Sequence, residues 1–122
     1  MSNQPTTSHR FAVLRHEGVP RPHFDILVDV DGVSALATWR SDAWPIVVPL
    51  TLLRMPDHRR IYLDYPGPVS GNRGQVARVD AGECRLAKLS ADHWQLARPG
   101  APMLDLRRVD ADHWQACLLP EQ

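Results

Sequence analysis

The stretch that decides the fold is H-F-D-I-L-V-D-V-D-G-V-S-A-L-A-T-W, residues 23–39. Its first half alternates in a strand-like way, with Phe24, Ile26, Val28 and Val30 on one face and His23, Asp25, Leu27 and Asp29 on the other. Asp-Gly between two apolar runs is a strong hairpin signal. The stretch therefore predicts strands at 23–30 and 33–39, joined by a turn at Asp31-Gly32, with the first apolar face in the core.

The rest of the chain carries the same kind of short apolar run, bounded by Gly, Pro and Asp. Further strands are predicted at 10–16, 60–65, 75–80, 83–89, 93–97, 103–109 and 113–119. Segment 41–56 holds three prolines, which predicts no long element there and one helical turn near 49–54. Regularly spaced short strands indicate an all-β or mainly β protein, a small closed or partly open β-barrel with short helical turns.

Composition indicates one domain of ordinary size. The chain has 122 residues, 43 % of them hydrophobic, which predicts a single barrel domain over 10–122 after a disordered N-terminal lead-in, 1–9. No apolar run approaches the ~18 residues that a membrane helix needs, and the two cysteines are too few for a disulfide framework. We expect a cytoplasmic protein with no membrane partner.

The charge distribution limits the class of ligand. The net charge is zero, which argues against sequence-independent coating of nucleic acid. The basic residues are thirteen arginines and a single lysine, and residues 10–78 carry nine arginines against seven acidic residues. The first part of the chain is therefore the expected location of an anionic ligand.

The pentapeptide A-D-H-W-Q occurs twice, at 91–95 and 111–115. Two copies are too few for a solenoid, so the repeat indicates one turn-into-strand solution used twice. Trp94 and Trp114 are expected to point inward, with His93 and His113 at turns or edges. Trp44, in a loop, is the tryptophan expected to be exposed.

A candidate metal site lies in H-E-G-V-P-R-P-H-F-D, residues 16–25. His23 and Asp25 share the outer face of their strand, and the short connection 17–22 returns the chain so that His16 lies beside them. Two imidazoles and a carboxylate with open positions suit Mn²⁺, Fe²⁺ or Zn²⁺. The alternative is a polar loop-to-strand junction without a metal.

A second candidate set lies in D-H-R-R-I-Y, residues 57–62. In an extended run His58, Arg60 and Tyr62 share a face, and an imidazole, a guanidinium and a phenol together suit phosphate oxygens. The alternative is an ordinary solvated strand face.

Taken in order, these motifs resemble the 3′-phosphoesterase domain of bacterial ligase D. The matching stretches are R-F-A-V-L-R-H (10–16), H-F-D-I-L-V-D-V-D-G-V (23–33), Asp57-His58 with Tyr62, and G-P-V-S-G-N-R-G-Q-V (67–76), within roughly residues 10–83. The resemblance implies a small β-barrel with a divalent metal in a surface groove, typically manganese, with zinc, cobalt or iron as alternatives. It also implies removal of a 3′-phosphate or 3′-ribonucleoside from DNA ends during non-homologous end joining, with DNA-repair proteins as candidate partners.

Carried over residue by residue, the resemblance assigns roles to five side chains. His16, His23 and Asp25 match the family's metal ligands, and His58 and Tyr62 match the catalytic pair that engages the phosphate.

The chain departs from the family at several positions. Leu27 and Leu50 stand where the family has arginines, Pro56 replaces an acidic residue, and six residues rather than five separate the two histidines. Replacement phosphate-binding cations are therefore expected elsewhere, with Arg15, Arg54 and Arg60 as the first candidates and Arg21, Arg59 and Arg73 as others.

Three classes of function remain open from the sequence. The first is a metal-dependent phosphoesterase acting on nucleic-acid 3′ ends or a related phosphate ester. The second is a catalytically degenerate metal- or nucleic-acid-binding module. The third is an interaction protein in which the histidines are incidental.

Overall fold

Antiparallel strands make up most of the fold in the computed structural model, which describes residues 8–120. The strands are β1 (His9–Glu17), β2 (His23–Asp29), β3 (Leu36–Ser41), β4 (Leu50–His58), β5 (Gly67–Pro68), β6 (Gln75–Ser90), β7 (His93–Ala97), β8 (Met103–Asp110) and β9 (His113–Leu119). A 3-10 helix, Arg60–Leu63, follows β4. Residues 1–7 of the predicted lead-in lie outside the described residues, and His9 begins β1.

The sheet closes on itself as a barrel. Its neighbours run in the order β1-β2-β3-β4-β9-β8-β7-β6, and β6 pairs back with β1. Closure leaves the eight strands of this ring without a free edge, and β5 pairs with the start of β6 beside it. The prediction of an all-β protein with a small closed barrel is confirmed. Among residues 8–120, no helix has the length and apolarity needed to cross a bilayer.

Three tryptophans fill the middle of the barrel. Trp39 packs edge to face on Trp94 and Trp114, with ring centroids 5.1 Å and 5.5 Å away. The inward orientation predicted for the two A-D-H-W-Q tryptophans is confirmed, since both are buried in the main core. The prediction that Trp44 is exposed is wrong. Its side chain is partly buried, and its Nε1 donates to Asp80 Oδ2 at 3.0 Å.

The β2–β3 hairpin is present, but its loop is longer than predicted. The second strand begins at Leu36 rather than at residue 33. Asp31 accounts for the difference, because its carboxylate accepts hydrogen bonds from the backbone N–H groups of Val33 and Ser34 and so holds them in the loop. The resulting register places Arg40 directly opposite Asp25.

The prediction that segment 41–56 holds no long element is wrong, because β4 occupies Leu50–His58. The prolines do not prevent this strand. Pro56 lies where the pairing with β3 is irregular, between the Thr38–Met55 and Leu36–His58 pairs. A β-bulge tolerates proline because no ladder hydrogen bond is needed there.

The strand predicted at 60–65 is a 3-10 helix instead. A short apolar run does not distinguish a strand from a helical turn by periodicity alone. The helix turns Leu63 down onto the outer face of the barrel, where it is buried. Because the backbone is not extended here, Arg60 does not share a strand face with His58 and Tyr62.

Residues 59–76, termed here the cover segment, bury the outer face of β1 and β2. Together with β1, β2 and β3, the segment forms a second, smaller core. Its buried residues are Ala12, Leu14, Leu27, Leu36, Leu63 and Val76, with Tyr62, Tyr65 and Val69 packed against it. His23 and Asp25 do lie on the face opposite the main core. Both side chains are buried, and the cover segment packs against the same face around Leu27.

A buried carboxylate on the far side of the barrel predicts acid sensitivity. Burial alone would raise the pKa of Asp105, but hydrogen bonds from Arg107, His93 and Gln95 lower it from 3.8 to about 2. Since the folded pKa is depressed, the stabilisation is complete above the ordinary pKa and is lost as pH falls through about 2. This difference corresponds to about 2 kcal/mol.

We therefore expect the stability advantage of the wild type over Asp105→Asn to shrink by about 2 kcal/mol between pH 5 and pH 2. Urea unfolding at a series of pH values measures it. Asp112→Asn, at an exposed turn, is the control. An advantage of Asp105 that does not change with pH would contradict the prediction.

Candidate metal centre

The three predicted metal ligands lie at neighbouring positions of two strands. His16 of β1 is directly opposite His23 of β2, and Asp25 lies two residues further along β2 on the same face. The short connection 17–22 thus brings His16 back beside the other two, as predicted. Asp25 is nearly inaccessible, with 2 % of its side chain exposed.

The imidazoles surround one carboxylate oxygen. His23 Nε2 lies 3.5 Å from Asp25 Oδ2, and His16 Nδ1 lies 4.0 Å from it. His58 Nε2, arriving from the end of β4, lies 3.8 Å from the same oxygen. The structure therefore brings His58 to the predicted ligands.

The second nitrogen of each ring shows which tautomer the neutral imidazole adopts. The carbonyl oxygens of Arg73, Arg21 and Pro56 lie 2.7, 2.8 and 3.1 Å from His16 Nε2, His23 Nδ1 and His58 Nδ1 respectively. A carbonyl only accepts, so each of these nitrogens carries the hydrogen. The nitrogen nearest Asp25 is then a lone-pair acceptor in every neutral ring.

This arrangement leaves buried polar atoms unsatisfied. Among residues 8–120, His23 Nε2 and Asp25 Oδ1 are buried and have no hydrogen-bond partner. An unpaired buried polar group costs about 1–3 kcal/mol. Acceptors that converge without donors are satisfied by a cation, and carbonyl-oriented imidazoles are the usual outer support of metal ligands.

The donor set therefore fits a metal ion. His16, His23 and Asp25 each offer one ligand atom, and these atoms all lie within 4.8 Å of one another. Two imidazole nitrogens and one carboxylate oxygen suit several divalent transition metals. The group could hold a metal ion, as predicted.

Charge coupling within the cluster follows from the same distances. Burial by itself would raise the pKa of Asp25, but His58, His23 and Arg40 more than offset it and the pKa lies below its ordinary value. The nearby carboxylate of Asp25 in turn raises the pKa of His58. A proton on His58 partly balances Asp25, yet it does not provide His23 Nε2 with a partner.

Gly74, in the cover segment, allows the Arg73 carbonyl group to reach His16. A Cβ on Gly74, which has φ +76°, would lie 2.1 Å from the Glu17 carbonyl oxygen. Only glycine permits this approach between the end of β1 and the loop. The approach holds the Arg73 carbonyl oxygen against His16.

The cluster lies in a groove of about 870 Å³ between the barrel and the cover segment. His58 and Tyr62 both line it, with ring centroids 6.1 Å apart. The two side chains thus meet in the groove, although they come from β4 and the 3-10 helix rather than from one strand.

The groove is also rich in cations. Its lining contains Arg21, Arg40, Arg59 and Arg73, against the acidic residues Asp25 and Asp57. A concave surface with an excess of guanidinium groups favours an anionic ligand.

Arg15 and Arg54, two of the first candidates for phosphate binding, do not line the groove. Arg15 pairs with Glu17. Arg54 stacks 4.8 Å from the Trp39 ring and donates to the Thr38 carbonyl. These contacts engage both guanidinium groups within the protein, and the role of Arg15 and Arg54 as phosphate ligands stays a prediction.

Arg60 is also committed elsewhere. It binds both carboxylate oxygens of Asp29, at 2.6 Å and 2.7 Å, and donates to the Ser34 carbonyl oxygen at 2.9 Å. This bidentate pair fastens the 3-10 helix to the β2–β3 loop. Arg60 therefore has a structural contact within the fold, and its phosphate contact stays a prediction.

Arg40 is a groove residue that the sequence did not indicate. Its Nε lies 3.7 Å from Asp25 Oδ1, and 36 % of its side chain is exposed. Within the described residues this Nε has no hydrogen-bond partner. The sequence could have indicated Arg40 only through the register of the β2–β3 hairpin. Asp25 pairs with Arg40 because the loop is longer than the predicted two-residue turn.

Leu27 stands where the resemblance places an arginine. It is fully buried in the second core, beneath the cover segment. A charge buried at this position would be strongly unfavourable unless it were paired.

Comparison with protein-family models returns no match, and comparison with curated proteins returns none either.

Proposed function

We propose that this protein is a metal-dependent phosphoesterase that acts on the 3′ ends of nucleic acid or on a related phosphate ester, in DNA end processing. One observation supports the proposal above all: imidazole lone pairs converge on a buried carboxylate at the floor of an arginine-lined groove. The resemblance to the 3′-phosphoesterase domain of bacterial ligase D supplies the substrate class.

In this proposal His16, His23 and Asp25 hold the divalent cation. Manganese is the first choice from the resemblance, with zinc, cobalt and iron as alternatives that the same donors accept. The bound cation supplies Lewis acidity toward a phosphoryl oxygen.

His58 and Tyr62 act on the phosphate itself. His58 is partly exposed, with 26 % of its side chain open to the groove. The hydrogen bond and charge of Asp25 raise the pKa of His58, which favours the protonated imidazole that a proton donor to the leaving oxygen needs. Tyr62 orients the phosphate by donating its hydroxyl proton to a phosphoryl oxygen.

Arg40 replaces the cations that Leu27 and Leu50 do not provide. Its Nε is buried beside Asp25 and unpaired within the described residues, so an anion in the groove offers the acceptor that it lacks. A hydrogen bond between charged groups is worth about 1.5–3 kcal/mol.

We therefore expect Arg40→Ala to weaken the binding of inorganic phosphate to the Mn²⁺-loaded protein by about 10- to 150-fold. Calorimetric titration with phosphate measures the change. Arg15→Ala, on an arginine outside the groove, is the matched control. Equal phosphate affinity in Arg40→Ala and wild type would contradict this role.

The activity is tested with a 3′-phosphorylated oligonucleotide and Mn²⁺, by measuring inorganic phosphate release. The same oligonucleotide carrying a 5′-phosphate is the substrate control. We expect phosphate release from the 3′-phosphorylated oligonucleotide and none from the 5′-phosphorylated one. No release from it, and no release of a terminal 3′-ribonucleoside, would refute the phosphoesterase proposal.

A second candidate function is a binding module that retains the metal and no longer turns over. The buried Leu27, in place of a family arginine, favours it. Metal and oligonucleotide binding without turnover would identify this module.

A further inference from the structure

The two A-D-H-W-Q segments differ in what their histidine and glutamine face. In the first copy, His93 lies directly opposite Arg107 on β8. Gln95 lies directly opposite Asp105 on the same strand. The Asp105 carboxylate accepts hydrogen bonds from the other three side chains at 2.7–2.9 Å, and only 2 % of its side chain is exposed. The first copy therefore surrounds a buried carboxylate with an imidazole, an amide and a guanidinium.

The second copy has the same two side chains, but the neighbouring strand carries no carboxylate at the corresponding position. His113 lies directly opposite Leu53 on β4, and Gln115 lies directly opposite Thr51. Thr51 therefore occupies the register position that Asp105 has in the first copy. Because the threonine side chain is smaller and uncharged, it does not fill the place of that carboxylate.

A cavity of about 330 Å³ lies at this position, and both Thr51 and His113 line it. This second cavity is near the lower size limit for small-molecule sites. The guanidinium groups of Arg21 and Arg40 also line it, against the acidic side chain of Asp42. The excess of positive charge favours an anionic group in the second cavity.

Arg40 and His113 each have a nitrogen that a ligand can use. Arg40 lies directly opposite Leu53, so a guanidinium reaches the cavity from the next strand. Its Nε is buried, 3.7 Å from Asp25 Oδ1, and has no hydrogen-bond partner among the described residues. His113 Nδ1 lies 3.0 Å from Asp110 Oδ1. Since an ionised carboxylate only accepts, this nitrogen carries the hydrogen, and Nε2 remains for a ligand.

We propose that the second cavity binds a small carboxylate compound, whose carboxylate group takes the place that Asp105 has in the first copy. Its oxygens accept hydrogen bonds from Arg40, from the Thr51 hydroxyl and from protonated His113. A short aliphatic substituent packs against Leu53, which also lines the cavity. The site depends neither on a bound metal nor on the proposed phosphoesterase activity.

An NMR titration of the full chain, without added metal, tests the site with two probes of nearly the same shape. Isobutyrate carries a carboxylate and an aliphatic group, and isobutyramide replaces the carboxylate with an uncharged amide. Signals of Thr51 and His113 are expected to shift saturably with isobutyrate, with a dissociation constant in the millimolar range, and to stay in place with isobutyramide. Absence of these shifts, or equal shifts with the amide or with inorganic phosphate, would overturn the inference.

A matched pair of variants tests the position of the carboxylate. Thr51→Asp places a carboxylate of the protein itself in the site, at an exposed residue. It is expected to weaken isobutyrate binding by about 10-fold or more, the loss of one charge-assisted hydrogen bond. Val33→Asp adds the same charge at an exposed residue outside the groove and the second cavity, and it should retain wild-type affinity. Unchanged isobutyrate affinity in Thr51→Asp, or an equal loss in Val33→Asp, would refute the site.

Discussion

Replacing His23 with alanine is expected to weaken Mn²⁺ binding by on the order of 100-fold or more. Loss of even an outer partner of a metal ligand costs about 10- to 100-fold in affinity, and in the proposed site His23 offers a ligand atom of its own. Its Nε2 is buried, 3.5 Å from Asp25 Oδ2, and unpaired within the described residues. Isothermal titration of the metal-free variant with Mn²⁺ measures the loss.

Two controls separate metal loss from damage to the fold. His9→Ala removes an imidazole that contacts the Asp29 carbonyl oxygen, and it is expected to leave Mn²⁺ affinity unchanged. His23→Gln keeps a polar side chain of similar reach and is expected to retain the barrel's circular dichroism. A folded His23 variant with wild-type Mn²⁺ affinity would show that the imidazole is not a ligand.

Replacing His58 with alanine is expected to lower turnover of a 3′-phosphorylated oligonucleotide by about 10²–10⁴-fold, the usual contribution of a positioned acid or base. Mn²⁺ affinity is expected to change little, because His58 lies outside the group of three whose ligand atoms converge. The effect should appear in kcat, since the proton is transferred only as the leaving oxygen departs.

The split between turnover and metal binding is what distinguishes the two roles of histidine. Steady-state kinetics and Mn²⁺ titration of the same His58→Ala preparation give both quantities. Loss of Mn²⁺ binding equal to that of His23→Ala would instead make His58 a fourth ligand. Unchanged kcat would remove His58 from the chemistry.

The barrel follows from local pattern to a large extent. Alternation in residues 23–30 places Ile26 and Val28 in the main core, and the repeated A-D-H-W-Q turns place Trp94 and Trp114 there as well. Each of these features depends on neighbours along one strand or across one tight hairpin. Local sequence is sufficient for them because the strand period is fixed by backbone geometry.

The elements that were mispredicted depend on partners distant in sequence. β4 forms despite Pro56 because the bulge against β3 removes the need for a donor there. The 3-10 helix forms where Leu63 reaches the outer face of β1 and β2. Neither the position of a bulge nor the presence of that face is encoded in the local run.

The candidate site shows the same division. His23 and Asp25 could be placed on one face from strand period alone, but the segment that packs against that face lies further along the chain. Which arginines reach the groove is decided by tertiary contacts: Arg60 is held by Asp29, and Arg40 is brought in by the β2–β3 register. The sequence gives the number of arginines, but it does not show which of them line the groove.

The most direct measurement is an NMR titration of the isotope-labelled, metal-free protein with Mn²⁺, whose unpaired electrons broaden nearby signals. A metal held by the buried cluster predicts broadening centred on His16, His23 and Asp25 and spreading to Tyr62 across the groove. Signals of Asp105, on the far side of the barrel, should stay sharp. Unaffected signals at His16, His23 and Asp25 would contradict the metal site, and with it the proposed phosphoesterase activity.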